Sequence, residues 1–413
     1  MTKVAVLGGG IVGVCSALAL AESGVNVCLI DANKPGQGAS RGNAGVVSPW
    51  SVVPQSTPGL WKKIPGWLLK EDGPVSVRPA YSPRLLPWAI RFFKQGKLSR
   101  VYEIADAMSA INASNVDLYK HLLGSLGHAK LIQDSHYVHG FRSVNGASLK
   151  TLDYEIRRQK NADLELIDAE TLSRLEPDLS PEFRSAVLIK GQARILSPGR
   201  VCEVLVERFQ SLGGEVRQSR IDSLTPGDSN AGLWEVQTSQ GSISADQVVI
   251  ALGVWSGNLL KKLGVSVSLE AEHGYHVEFP EPSVQLNHSV MDMDLKMVAS
   301  SMEGGLRVAG TAEFSGLDYP MTEKRLVSLI HGARKMIPGL RDIEPNVWMG
   351  TRPSMPDSLP CIGSIPGHNG LIAAFGHSHF GLMMAPRTAE IVKSLVLGQS
   401  VDIDLNPFRI DRF

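Results

Sequence analysis

Apolar and polar positions follow two rhythms along this chain. Lys3 to Leu7 (KVAVL) is a short β-branched apolar run, the pattern of a parallel strand buried on both faces. An Ala- and Leu-rich helical stretch runs from Ile11 to about Ser23, with Gly24 where a helix would end, and Val25 to Ile30 is a second buried strand. Buried-strand patterns return at Val248 to Leu252 and Leu371 to Phe375, and helices are predicted over Val201 to Leu212 and Pro386 to Leu397. Tyr102 to about Leu126 reads as one helix, Thr171 to Pro177 as a capped turn, and Glu215 to Leu224 as one strand. Trp234 to Thr238 and Ser242 to Ala245 read as a hairpin. From about residue 256 to 345 the βαβ rhythm stops. His273 to Phe279, Met297 to Ser301 and Leu306 to Gly310 read as antiparallel strands, and Thr322 to Met336 as a helix before Pro338-Gly339. The pattern predicts an α/β domain with a separate sheet-and-helix cap.

The joint between the first strand and helix carries candidate chemistry. Gly8-Gly9-Gly10-Ile11-Val12-Gly13 reads G-x-G-x-x-G, and Asp31 stands at the end of the second strand, 18 residues beyond Gly13. Gly8 allows a tight turn, Gly10 lets a pyrophosphate approach the backbone, and Gly13 lets helix and strand pack closely. The helix N-terminus offers unpaired N–H groups and partial positive charge to phosphates. Asp31 can accept hydrogen bonds from ribose hydroxyls, and an acid there disfavours a 2′-phosphate. NAD and FAD both remain open on these residues. The small-residue loop Gly38 to Gly45 is suited to passing close to a flat ring. Val248 to Leu252 is followed by Gly253 at its carboxyl end, where ligands sit in open parallel sheets.

Composition narrows the classes. Of 413 residues, 43% are hydrophobic and 20% charged, so a large core is available and general disorder is excluded. Lys+Arg and Asp+Glu are both 41, which excludes a nucleic-acid binder working by bulk charge. Cys15, Cys28, Cys202 and Cys361 form no CxxC pair, so neither a disulfide framework nor a zinc ribbon is expected, and a reducing, cytoplasmic setting fits. His273 with His276, or His377 with His379, lacks the ligand cluster a metal needs, so no metal is expected. Val4 to Ala21 is uncharged over 18 residues, but its four glycines argue against a span or leader.

These motifs together resemble the FAD-dependent D-amino acid oxidase/glycine oxidase superfamily, most nearly the small-subunit type of bacterial D-amino acid dehydrogenase. The resemblance spans nearly the whole chain. It rests on Gly8–Gly13, on Ala39 to Gly45 continuing to Trp50, and on Ala251-Leu252-Gly253 with Trp255. Thr351-Arg352-Pro353 with Pro356-Asp357, and Gly376 to Gly381, complete it. It implies an FAD-binding Rossmann-like domain (1–45, 191–255 and 346–413), a Trp/Pro-rich insert (46–100), and an antiparallel-sheet α+β substrate-binding cap (101–190 and 256–345). It also implies cofactor contacts from Gly8, Gly10, Ile11, Val12, Gly13, Asp31, Ala32, Ser40, Arg41, Asn43, Ala44, Gly45 and Val46. Further contacts are implied from Ile221, Ala251, Leu252, Gly253, Trp255, Gly376, His377, Ser378, His379, Gly381 and Leu382. Two departures stand out: Asp31 where the family often has Glu, and Ser378-His379 where a Gly-His-Gly type sequence is common.

The implied reaction is oxidation of a D-amino acid, or a secondary amine such as a proline derivative, by hydride transfer from Cα to flavin N5. The acceptor would be a quinone or other carrier. A glycine- or sarcosine-type oxidase using oxygen, a flavoprotein subunit acting in an assembly, and an NAD-linked dehydrogenase are the alternatives. Arg352 is the expected carboxylate anchor, since a guanidinium binds carboxylates at two points. His379 and Tyr275 are candidates for substrate contact. Residues 50–94 hold four of the seven tryptophans (Trp50, Trp61, Trp67, Trp88) among prolines and basic residues. They form either a peripheral membrane or partner surface, or a layer packed over the flavin domain.

Overall fold

The computed structural model describes residues 2–70, 73–227 and 233–413. Its first sheet grows outward from the opening strand. Lys3–Leu7 pairs in parallel with Asn26–Asp31 on one side and Gln247–Ile250 on the other. Glu215–Gln218 adds beyond the former and Leu371–Phe375 beyond the latter, both parallel, and Cys361–Ser364 closes one edge antiparallel. Alternate residues face opposite sides, as the two-residue strand period requires. Val4, Val6, Val27 and Leu29 join a core with the helices Ile11–Glu22, Pro198–Ser211 and Gly381–Val396. Ala5, Leu7, Cys28 and Ile30 pack against a three-stranded antiparallel layer, Ile221–Pro226, Trp234–Thr238 and Gly241–Ala245. The first helix is apolar nearly all round because it is covered on both sides; truncating Leu18 there to Ala costs about 2–5 kcal/mol.

A second sheet of ten strands supplies the cap. Its main path runs Asn346–Ser354, Glu270–Phe279, Gly305–Phe314, Met297–Met302, Ser289–Asp292, Ile132–Phe141, Ser185–Ile195 and Val46–Val47. Most pairs are antiparallel, but Ser289–Asp292 runs parallel to Ile132–Phe141, and Val75–Val77 runs parallel to Gly305–Phe314. The face away from the first domain packs on the helix Glu323–Met336 through Val277, Val290, Val308 and Leu329.

Several elements differ from expectation, each for a local reason. The helix expected over 102–126 is two, Leu98–Asn112 and Asn115–Ser125. The strand expected over 215–224 splits at Ser219, whose N–H turns to Asp31 O, and its halves join different sheets. The turn at 171–177 is a short helix, Ala169–Leu175, capped by Asp168 accepting from Thr171 N–H. The last long helix starts at Gly381, five residues before Pro386. Pro386 has no N–H for the carbonyl four residues back. That carbonyl, of Leu382, instead accepts the Tyr119 hydroxyl at 2.7 Å. No helix among the described residues is long and apolar enough to cross a membrane.

Candidate active site

One cavity of about 1330 Å³ runs from the glycine-rich turn to the large sheet. That exceeds the usual range for a single small ligand, roughly 300–1,000 Å³. At its outer end the glycines divide their roles. Gly8 has φ +110°, and a Cβ there would stand 2.3 Å from Ala251 O. A Cβ on Gly13 would meet Gly8 O at 1.9 Å, so this glycine serves helix packing and does not line the cavity. A Cβ on Gly10 would find only Ser40 Oγ, at 3.5 Å, because Gly10 opens onto the cavity. The first-turn N–H groups of the helix have no carbonyl four residues back. Ile11 N–H donates to Ser40 Oγ at 2.9 Å, and Val12 lines the same wall. Asp31 Oδ2 accepts from Gly9 N–H at 2.6 Å and Oδ1 from Asn33 N–H at 2.8 Å. Each oxygen keeps a second lone pair for a ligand hydroxyl. Ala32, Ile221, Ala251, Leu252, Gly253 and Trp255 surround this end.

Farther in, Asn43, Ala44 and Val46 line the cavity. Their loop is held by Arg307 and Glu278, to which nothing in the sequence pointed, and by His276. Arg307 Nη1 donates to Arg41 O at 2.9 Å and Asn43 O at 2.7 Å, while Glu278 takes Nη2 at 2.6 Å and Nε at 2.8 Å. His276 Nδ1 lies 3.1 Å from Gly42 O, and its ring stacks on Trp348 at 4.9 Å. Burial, reinforced by the charge of Arg307, lowers His276 to about 3, so it stays neutral. Gly45, at φ +81°, packs against Ile195 O, and the Arg41 side chain turns out to Gln37; neither lines the cavity.

The loop 376–380 forms the facing wall, with Gly381 and Leu382 opening the helix behind it. Ser378 takes φ +49°, a region that favours glycine, and is fastened by its N–H to Pro353 O and by Met355 N–H to its Oγ. His377 turns away into the core, with Nε2 3.0 Å from Thr388 Oγ1, and burial lowers it to about 3. His379 lines the cavity. Gln55 Nε2 lies 3.2 Å from its Nδ1. Burial lowers His379 to about 4, with Glu272 opposing and Arg352 assisting.

Arg352 lies in the cavity on the same face as Gly274 and Gly350; its guanidinium lies over Gly274 and the Trp348 ring covers Gly350. A Cβ on Gly274 would sit 2.4 Å from the Arg352 Cζ. Its Nη1 donates to Glu272 Oε1 at 2.5 Å and to Thr311 O at 3.0 Å. Glu272 is 2% exposed, and its other oxygen accepts from Ser354 Oγ at 2.5 Å. Burial alone would raise the Glu272 pKa; the charge of Arg352, the Ser354 hydroxyl and His379 more than offset it and hold the carboxyl below its ordinary value. The expected anchor thus carries a resident carboxylate on one edge, with Nη2 and Nε uncommitted among the described residues. Thr311 has φ +60°, strain that aims its carbonyl at the guanidinium.

Tyr275 points to the other face of the strand, into the core with Val277 and Val308. Its hydroxyl donates to Glu313 and accepts from Thr322 N–H. His273 is bonded to Gly316 O and Thr351 Oγ1. Cys361 is fully buried in the core and does not line the cavity. Neither Glu272, one of three glutamates on its strand, nor Arg307 gave a local signal in the sequence.

The cradle and facing loops fit FAD, with Gly10 clear of side chains, Asp31 at one end, and Asn43 to Val46 opposite 376–382 at the other. The chain belongs to the FAD dependent oxidoreductase family, whose profile matches residues 3–395. It is a flavoenzyme of that class. Among its relatives is a D-amino-acid oxidase of Bradyrhizobium diazoefficiens, 36% identical over 99% of this chain and 98% of the relative. A D-amino acid dehydrogenase of Rhodopseudomonas palustris is 30% identical over 100% and 98%. The fold is shared with glycine oxidase from Geobacillus kaustophilus, at TM-score 0.78, 21% identity and full coverage of both chains.

Proposed function

We propose that the protein oxidises the Cα–N bond of a D-amino acid or a related secondary amine, with electrons leaving to a quinone or another carrier. FAD, when bound, supplies the two-electron oxidation, taking the α-hydrogen as hydride at N5. The observation that carries this reading is that Arg352 opens into the same cavity as the Gly10 cradle. A carboxylate held on its uncommitted edge lies in the space bounded by 42–46 and 376–382. Glu272 fixes the guanidinium, and Thr311 O holds it level with the sheet. His379, neutral and steadied by Gln55, offers its other ring nitrogen to the substrate. Tyr275 also lines the cavity, with its hydroxyl held by Glu313 and Thr322. We read the chain as an FAD-binding domain, an insert and a cap, with different bounds from those expected: the Arg352 strand and the insert strands Val46–Val47 and Val75–Val77 all pair into the large sheet.

The carrier reading is supported by the insert. Leu60, Ile64, Trp67, Trp88 and Phe92 make the cavity's outer wall apolar. The same two helices, Leu60–Leu69 and Ser82–Gln95, expose Trp61, Leu69, Leu86 and Ile90 beside Lys62, Lys63 and Arg84. That surface suits peripheral contact with a membrane through residues 50–94. A second reading, oxygen as acceptor, is supported by the name of the 36% relative. The test is anaerobic bleaching of the bound flavin by a panel of D-, L- and N-methyl amino acids, then reoxidation by air or a soluble quinone. Bleaching by D-amino acids supports the proposal, and no bleaching by any amine refutes it. Rapid peroxide formation in air assigns oxygen.

A further inference from the structure

The cavity does not end at Arg352. Its wall continues across the large sheet to a cluster that the oxidation does not use: Tyr137, His139, Arg157 and Lys296. Tyr137 and His139 stand two apart on one strand and so share a face, their rings meeting edge to face at 4.8 Å. Arg157 reaches in from the helix Leu152–Gln159. Lys296 sits in the turn between Ser289–Asp292 and Met297–Met302.

One of the two cations of this cluster has a close counter-charge and the other has none among the described residues. Arg157 spends Nε and Nη1 on the carbonyls of Trp50 and Asp153, with the Asp153 carboxylate 3.5 Å away. The Lys296 backbone N–H donates to Asp292 O at 2.8 Å, but its ammonium has neither hydrogen bond nor ion pair among the described residues; it feels Lys63, Asp153, Asp294 and Asp292 only at longer range. Of those, Asp292 is already bonded to Arg142 at 2.6 Å. His139 is held neutral, first by burial and then by the charges of Arg157 and Lys296, and its Nδ1 lies 2.8 Å from the Tyr154 hydroxyl. An unpaired ammonium, a guanidinium shared with a single carboxylate, and two neutral hydrogen-bonding groups on one wall are the chemistry of an oxyanion pocket.

Reach links this pocket to Arg352. Arg352 Nη1 sits on Thr311 O, and the Lys296 carbonyl is 3.4 Å from where a Cβ on Gly310 would stand. Met297 pairs with Gly310. With neighbouring strands about 4.8 Å apart, the Arg352 strand stands three spacings from the strand that Lys296 opens, but the guanidinium reaches over to Thr311 O, one spacing, about 5 Å, from the Lys296 backbone. The flexible lysine stem covers the remainder. We infer that this pocket takes a second anionic group on the substrate, so that amino acids with a terminal carboxylate, of glutamate to 2-aminoadipate length, are preferred over their neutral counterparts. The inference rests on the amino-acid oxidation proposed above.

The test follows anaerobic flavin reduction in the full-length holoprotein with D-aspartate, D-glutamate and D-2-aminoadipate against D-asparagine, D-glutamine and D-alanine. The kcat/KM for D-glutamate or D-2-aminoadipate should exceed that for D-glutamine by about tenfold to a hundredfold, the contribution of hydrogen bonds to a charged group. Lys296→Met should remove most of that ratio and Lys296→Arg should restore it. Tyr137→Phe, which keeps the ring packing, should lower it severalfold and serves as the second variant if Lys296→Met binds no flavin. A ratio near one in the unmodified protein, or one unchanged in Lys296→Met and Tyr137→Phe, overturns the inference. So does acetate that speeds D-alanine oxidation and erases the D-glutamate advantage, which would assign the pocket to a separate anion. Reduction by neutral amino acids alone overturns this inference and leaves the oxidation reading standing; reduction by none overturns both.

Discussion

Replacing Arg352 with Ala tests the pairing at the centre of the site. Glu272 is 2% exposed and would be left with the Ser354 hydroxyl as its hydrogen-bond partner. Removing one partner of a buried ion pair costs about 3–5 kcal/mol. The Arg352 side chain is 24% exposed and the Ser354 bond survives, which places the expected loss near the lower end, about 3 kcal/mol. Urea unfolding of the flavin-loaded protein at pH 7 measures it. The double variant Arg352→Met/Glu272→Gln should recover all but about 1 kcal/mol, since no charge is stranded. The pH dependence should reverse as well. In the unmodified protein the Glu272 pKa is depressed, so its stabilisation is present above the ordinary glutamate pKa, about 4.3, and is lost as pH falls below it. In Arg352→Ala burial acts without its main opponent and raises the pKa, so the native state takes up the proton first and stability increases as pH is lowered. Substrate kcat/KM should fall at least about a hundredfold with flavin retained. An Ala variant as stable as the unmodified protein, or a double variant no better than the single, would refute the reasoning.

Three further outcomes are expected. Gly10→Val should fold but purify colourless, because its side chain fills the cradle and meets only Ser40, whereas Gly8→Ala should destabilise the fold itself through Ala251 O; absorbance and circular dichroism separate the two. His276 and His377, each lowered to about 3 chiefly by burial, bind protons more readily when unfolded. Stability should therefore be full above about pH 6.5 and fall as pH drops from there toward 3, by up to about 1.4 kcal/mol per pH unit for each histidine, and His377→Asn should flatten the slope in denaturant titrations between pH 7.5 and 5. Arg307→Met should free the loop at Arg41 and Asn43 and weaken FAD binding about tenfold or more without touching the cofactor, as read by equilibrium flavin release.

The first domain was legible in the sequence because its signals are local. A buried strand, a glycine turn and a helix lie within residues 3–22, and each glycine's task follows from its place in that unit. The cap was legible as strands but not as a sheet. Its pairing joins residues 132–141 to 289–292 and 270–279 to 346–354, and no spacing along the chain announces partners so far apart. The same limit hid Glu272 behind Arg352, 80 residues away, and Arg307 behind the loop at 41–43. Conversely His377 and His379 look equivalent in sequence. The turn at Ser378 sends one ring into the core against Thr388 and the other into the cavity beside Gln55.

The Arg307 clasp makes two parts of the molecule thermodynamically inseparable. The strand that carries it belongs to the large sheet, yet the carbonyls it grips belong to the loop that walls the cavity. Loosening either side must loosen the other, so heating should release the yellow colour and melt the ten-stranded sheet in a single cooperative step, with added FAD raising the midpoint of both signals together.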